Sequence, residues 1–150
     1  MRTVLVIPNL KYDKNLLHSI RTAEAFGVTE ICLMSDRNLD KIFPKGSMKA
    51  YRHMTIKRFN NYDDLITYLV GERLKIICIE NTDTAIPLNK YTFPSNVALI
   101  MGHENMGVSD ILLHKYNSVI IPQYGLVGCL NTCVAMSIVM YERFKQRLKV

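Results

Sequence analysis

Val97-Ala98-Leu99-Ile100-Met101-Gly102-His103-Glu104-Asn105-Met106-Gly107 decides how the rest of the chain is read. Its first five residues form a continuous apolar run bounded by turn residues, as in a strand buried on both faces. The run passes straight into a glycine-bounded turn that carries a carboxylate. Similar runs recur at residues 4–7, 31–34, 76–79 and 119–121. Residues 54–59 alternate more and belong nearer an edge. Strands covered on both faces require helices on both sides, and helical spacing is present between them. Residues 15–26 place Leu16, Leu17, Ile20, Ala23 and Phe26 at that spacing, with Gly27 as a stop. Residues 62–70 repeat the pattern before Gly71. The last helix is expected over residues 130–148, with Val134, Ile138 and Tyr141 on one stripe and Arg143, Lys145, Arg147 and Lys149 making its end basic. The fold class is therefore α/β, a mostly parallel sheet flanked by helices. Without a linker or an internal repeat, residues 1–150 read as one domain.

Composition narrows the function classes. The 150 residues are 49% hydrophobic, which suffices for one core, and carry a formal charge of +6. Six basic residues and no acidic one lie within residues 41–58, so this window carries the whole excess. In isolation this reads as a solvated basic face; as a polyanion site, RNA included, its candidate contacts are Lys45, Lys49, Arg52, Lys57 and Arg58, with Tyr51 and His53 interleaved where bases stack. No apolar run approaches the ~18 residues that span a bilayer. The run at residues 4–7 is too short for a secretory signal. Cys32, Cys78, Cys129 and Cys133 lack both a disulfide framework and metal-ligand spacing, so reduced thiols, no metal and a cytoplasmic location are expected. A dinucleotide-binding protein carries its glycines after the first strand. Here Pro8-Asn9-Leu10-Lys11-Tyr12-Asp13-Lys14 follows it, and the glycines stand at Gly102, Gly107, Gly125 and Gly128. In an open parallel sheet, the strand ends beside those glycines are where ligands bind.

Three segments carry the candidate chemistry. Asn15 and Arg21 lie six apart on the first helix, and as plain structure they read as a cap and a surface cation. Glu104 sits in the turn already quoted. Asn131 opens the last helix after Ile121-Pro122-Gln123-Tyr124-Gly125-Leu126-Val127-Gly128-Cys129-Leu130. There, free backbone N–H groups face a ligand.

In this order the segments resemble the SpoU-type (TrmH-like) RNA ribose 2′-O-methyltransferases of the SPOUT superfamily. Asn15…Arg21-Thr-Ala-Glu-Ala-Phe-Gly is similar to the first motif and Gly102-His-Glu104-Asn-Met-Gly107 to the second. Ile121-Pro122…Leu130-Asn131…Val134-Ala135 is similar to the third, and Lys45-Gly46-Ser47…Tyr51 to a further element. Leu17, Cys129 and Thr132-Cys133 depart from the usual residues. The resemblance implies a C-terminal deep trefoil knot, which periodicity does not show. It implies S-adenosyl-L-methionine as cofactor, touching Ile79, Gly102, Ile121 and Leu130, and no metal. It also implies attack of a ribose 2′-hydroxyl on the sulfonium methyl, with Arg21, Asn15, Glu104 and Asn131 catalytic. An arginine is a poor base. Arg21 is therefore read as clamping a phosphate and stabilising the oxyanion, with Glu104 fixing Arg21 or the loop. A homodimer through the C-terminal helix is expected, with tRNA favoured over ribosomal RNA because no added RNA-capturing domain is seen. The alternatives are ribosomal RNA as substrate and a non-catalytic RNA-binding module of the same fold.

Overall fold

Each buried apolar run forms a strand, and each amphipathic stretch covers a sheet face. The computed structural model describes residues 1–148; Lys149, read above as part of the basic helix end, lies outside them. In chain order the elements are β1 (Arg2–Ile7), α1 (Asp13–Ala25), β2 (Glu30–Leu33), α2 (Leu39–Ile42), β3 (Thr55–Arg58), α3 (Tyr62–Gly71), β4 (Lys75–Ile79), β5 (Ile86–Pro87), β6 (Asn96–Met101), α4 (Asp110–Lys115), β7 (Asn117–Ile120) and α5 (Thr132–Arg147). The sheet order is β3-β2-β1-β6-β4-β7-β5, and every pairing is parallel.

Alternation along each strand divides the core. Leu5, Ile7, Ile77 and Leu99 face α1 and α5, meeting Leu16, Ile20, Met136 and Val139. Val4, Val6, Ile76 and Ile100 point the other way, toward Leu65 and Leu69 of α3 and Leu112 of α4. The edge position expected for residues 54–59 is found: β3 is terminal and mostly exposed. β5 and α4 had no sequence signal, being two and six residues long.

Three local expectations change. Asn15 is not a cap, because α1 begins two residues earlier, and the residue is buried on the third position of the helix. Gly71 lies within α3, and the chain turns instead at Arg73, whose φ is 56°. Arg143 is not part of a solvated basic end. It is 3% exposed, donating from Nε to Thr3 Oγ1 (3.3 Å) and from Nη2 to the Ser95 carbonyl (2.8 Å), with its guanidinium over Phe93.

The order of strands positions the site. β2 and β3 extend from one side of β1, while β6, β4 and β7 extend from the other. Loops at the carboxyl ends therefore part around the β1–β6 junction, where open α/β sheets hold ligands. After β7 the chain returns across the end of β6, where Thr132 Oγ1 donates to the Gly102 carbonyl (2.9 Å). α5 then lies on α1, with Phe26 against Tyr141 and Phe144. This return is consistent with the C-terminal knot.

Candidate active site

A pocket of about 410 Å³ opens at the carboxyl ends of β4, β6 and β7, with the loop after β1 on its rim. Its floor depends on register. Ile79 of β4 lies beside Met101 of β6, so Glu80 falls next to Gly102. The Glu80 carboxylate accepts from the Val108 N–H (2.9 Å) and the Asn81 N–H (2.9 Å), tying the turn after β6 to the end of β4. That turn closes on itself, because the His103 and Gly107 N–H groups each donate to the other's carbonyl. At Gly107 φ is +63°, and a methyl group there would collide with the Glu80 carboxylate. A Cβ at Gly102 would stand 3.1 Å from both Glu80 Oε2 and Gly107 Cα. Only glycine fits the two positions without displacing Glu80.

Glu104 faces the opposite side. It accepts from the Lys11 N–H (2.9 Å) and from Asn15 Nδ2 (3.0 Å). Asn15 Oδ1 in turn accepts from Asn131 Nδ2 (3.3 Å), while Asn131 Oδ1 caps α5 by accepting from the Cys133 N–H (2.9 Å). One polar relay, Glu104–Asn15–Asn131, thus links the turn after β6, the first turn of α1 and the start of α5, which are far apart in sequence. Burial works against ionising Glu104. The hydrogen bonds from Lys11 and Asn15, with its own and the Tyr12 N–H, outweigh burial and hold its pKa below the ordinary carboxylate value. A carboxylate depressed in this way stabilises the fold above the unfolded-state pKa of about 4.3, and that stability is lost as pH falls through the lower folded value. Glu104→Gln is therefore expected to cost about 1–2 kcal/mol at neutral pH. Thermal unfolding should show the gap between wild type and variant closing below about pH 4. A gap unchanged at acid pH would mean that the lost stability does not come from the charge.

Of the residues singled out in the sequence, Asn15, Glu104, Asn131, Ile79, Gly102, Ile121 and Leu130 all line this pocket. Arg21 does not. It is exposed on α1, and among the described residues its side chain has no hydrogen bond or ion pair. Glu104 accordingly fixes the loop after β1 and not Arg21. Glu80 was missed, because nothing in the sequence marks a carboxylate after a strand as a brace. Cys129 is exposed at the pocket and Cys133 half-buried, while burial pushes the Cys32 and Cys78 thiols up to about 12. Among the described residues no group of three or more His, Cys, Asp or Glu is placed to hold a metal. No helix there is long and apolar enough to cross a membrane.

The basic window lies on the other side of β1. Asp40, just ahead of it, collects Lys49 (2.7 Å), Arg52 (3.5 Å) and the Tyr51 hydroxyl; hydrogen bonds from Lys49 and then Tyr51 bring its pKa down to about 2. Tyr51 also packs edge-on against Phe43, so it is not the free stacking platform that its spacing suggested. Lys57 sits over the Tyr68 ring and His53 beside Glu24, while Lys45 projects into solvent.

Comparison with known proteins agrees with this geometry. The model of the SpoU rRNA Methylase family matches residues 2–141. The tRNA (guanosine(18)-2′-O)-methyltransferase of Escherichia coli (strain K12) is 25% identical over 134 residues, 89% of this chain and 58% of that protein. This chain thus spans less than two-thirds of that relative. The A. aeolicus TrmH/SpoU tRNA modifying enzyme superposes with a TM-score of 0.83 at 21% identity, covering 98% of this chain and 76% of the other. The AdoMet-bound rRNA methyltransferase of Sinorhizobium meliloti gives 0.79 at 23% identity, covering 98% and 57%. With the family match running from the first strand into the last helix, this chain belongs to the SpoU rRNA methylase family.

Proposed function

We propose that the chain is an S-adenosyl-L-methionine-dependent RNA ribose 2′-O-methyltransferase that acts on tRNA as a homodimer. The observation that carries this reading is the Glu104–Asn15–Asn131 relay on the rim of a glycine-floored pocket. The pocket's size falls within the ordinary range for small-molecule sites, about 300–1,000 Å³. Its residues fit the cofactor: Ile79, Met101, Ile121 and Leu130 offer apolar walls, and the turn of Gly102 and Gly107, packed against the Glu80 carboxylate, brings backbone to the pocket lining. When bound, S-adenosyl-L-methionine supplies an electrophilic methyl group.

The remaining work falls to the chain. Asn15 and Asn131 hold the nucleotide from the rim, each with its amide orientation fixed by the relay. Arg21, exposed on α1 and outside the lining of its own pocket, serves the partner's pocket in the dimer. α5 supports that arrangement, since Val134 and Ile138 are exposed on it, as is Tyr141 beyond its edge contact with Phe26. A guanidinium offers donors and no acceptor, so it clamps phosphate and steadies the developing oxyanion; it does not remove the proton.

The test is direct. Purified protein is incubated with methyl-labelled cofactor and, separately, unfractionated tRNA and ribosomal RNA, followed by nuclease digestion to locate 2′-O-methylated nucleosides. Label in tRNA is expected. Label only in ribosomal RNA overturns the substrate, and RNA binding without calorimetric binding of cofactor overturns the enzyme in favour of a binding module.

A further inference from the structure

A second depression of about 400 Å³ lies at the carboxyl ends of β2 and β3, lined by Asp36, Arg37, Asn38, Asp40, Tyr51 and Arg58 among others. It opens on the same edge of the sheet as the first pocket. The loop after β1 separates the two and is bonded to both. The Lys11 N–H reaches Glu104, while the Lys11 carbonyl accepts from Arg37 Nη2 (3.4 Å) and Asp13 pairs with Arg37 Nη1 (3.0 Å).

Two side chains there have unspent capacity. Arg58 is pinned by two neutral acceptors, the Ser35 carbonyl and the Arg37 carbonyl (2.9 Å), and among the described residues no carboxylate neutralises it. Its charge is thus held in position while uncompensated, and a guanidinium has five donors, of which these bonds use two. Arg37, in contrast, is neutralised by Asp13. The Asp36 carboxylate is exposed and has no hydrogen-bond or ion-pair partner among the described residues. A fixed cation without an ion-pair partner and an exposed carboxylate, both lining one depression, suit a ligand that presents phosphate at one end and N–H donors at the other. A nucleotide with an exocyclic amino group does so.

Resting on the methyltransferase reading, we infer that this depression holds a flanking nucleotide of the same RNA strand, its phosphate on Arg58 and its base edge on Asp36. Strand spacing sets the span. The two pockets are centred three to four strands apart, about 17 Å at ~4.8 Å per strand. A stacked strand rising about 3.4 Å per nucleotide covers that with about five nucleotides. Tyr12, exposed on the intervening loop at the first pocket's rim, lies along this path.

The full chain is titrated by fluorescence anisotropy with oligouridylates and oligocytidylates of about two to eight nucleotides, spanning the lower site sizes of single-strand binders. Affinity should rise steeply once length passes about five nucleotides. Arg58→Gln should remove that rise and reduce the salt slope by about 0.7, whereas Arg58→Lys keeps the slope. Oligocytidylate should bind about fivefold tighter than oligouridylate, a margin typical of one hydrogen bond and absent in Asp36→Asn. Asp36 has no partner to lose, so this variant reports even where Arg58→Gln fails to fold. The inference is overturned by wild type binding neither oligomer, by a length step that survives in Arg58→Gln, or by equal affinity for the two oligomers. Should wild type label RNA while Arg58→Gln and Asp36→Asn match it in every titration, only this inference falls. Absence of methyl transfer by wild type to tRNA or ribosomal RNA brings down the parent reading instead.

Discussion

Arg21→Ala is expected to lower methyl transfer by roughly 100- to 1,000-fold, the usual effect of removing one preorganised donor from developing charge. Cofactor affinity should stay within about twofold of wild type, because the arginine acts on the nucleotide and not on the cofactor. Stability should hardly move, since the side chain is exposed and bonded to nothing among the described residues. Single-turnover transfer and calorimetry separate these quantities. Turnover within tenfold of wild type would remove Arg21 from the chemistry. Mixing Arg21→Ala with a pocket variant such as Asn131→Ala adds a sharper readout. If each pocket borrows its arginine, the mixed dimer regains one working site; two inactive parents that stay inactive when mixed would place Arg21 in its own pocket.

Gly107→Ala is the other large effect, and here the physics acts on the fold before the site. A residue forced into the left-handed region costs about 1–2 kcal/mol. The added methyl also displaces the Glu80 carboxylate, leaving the Val108 N–H without its acceptor at a further ~1–3 kcal/mol. Together these amount to about 2–5 kcal/mol, or a Tm lower by roughly 4–20 °C for a chain of this size. Gly46→Ala is the control: φ is +77° there, but nothing lies within 4 Å of the new methyl. It should show the conformational cost alone. Cofactor affinity should fall with Gly107→Ala and stay unchanged with Gly46→Ala. Equal unfolding temperatures for the two variants would rule out a bracing role for Glu80.

Legibility followed burial. The strands announced themselves because β1, β2, β4 and β6 are covered on both faces and so read as unbroken apolar runs. β5 escaped because two residues, one a proline, carry no periodicity. The pocket residues were legible as motifs, but what joins them was not. Asn15 meets Glu104 and Asn131 across 89 and 116 positions, a distance at which local patterns say nothing. Glu80 was invisible for a related reason, since its role comes from the register of β4 against β6. Arg143 misled because a cation near a helix end is normally solvated, whereas here the Ser95 carbonyl and Phe93 enclose it. Tyr51 and Lys49 looked available until Asp40, one residue outside the basic window, was found to hold both.

The pairing of β1 with β6 has a consequence for how the protein is made. Arg2 meets Asn96 in that pair, 94 positions later in the chain. At about 5–20 residues per second, a ribosome needs roughly 5–20 s to supply the partner. During that interval β2, the native neighbour on one side of β1, is already made, yet the other edge of β1 has no partner, a row of unmet backbone donors and acceptors flanked by Val4, Leu5 and Val6. Such an edge invites pairing with any neighbouring nascent chain. A chain cut short within residues 60–95 is therefore expected to aggregate, and slow codons in that stretch would lengthen the vulnerable period.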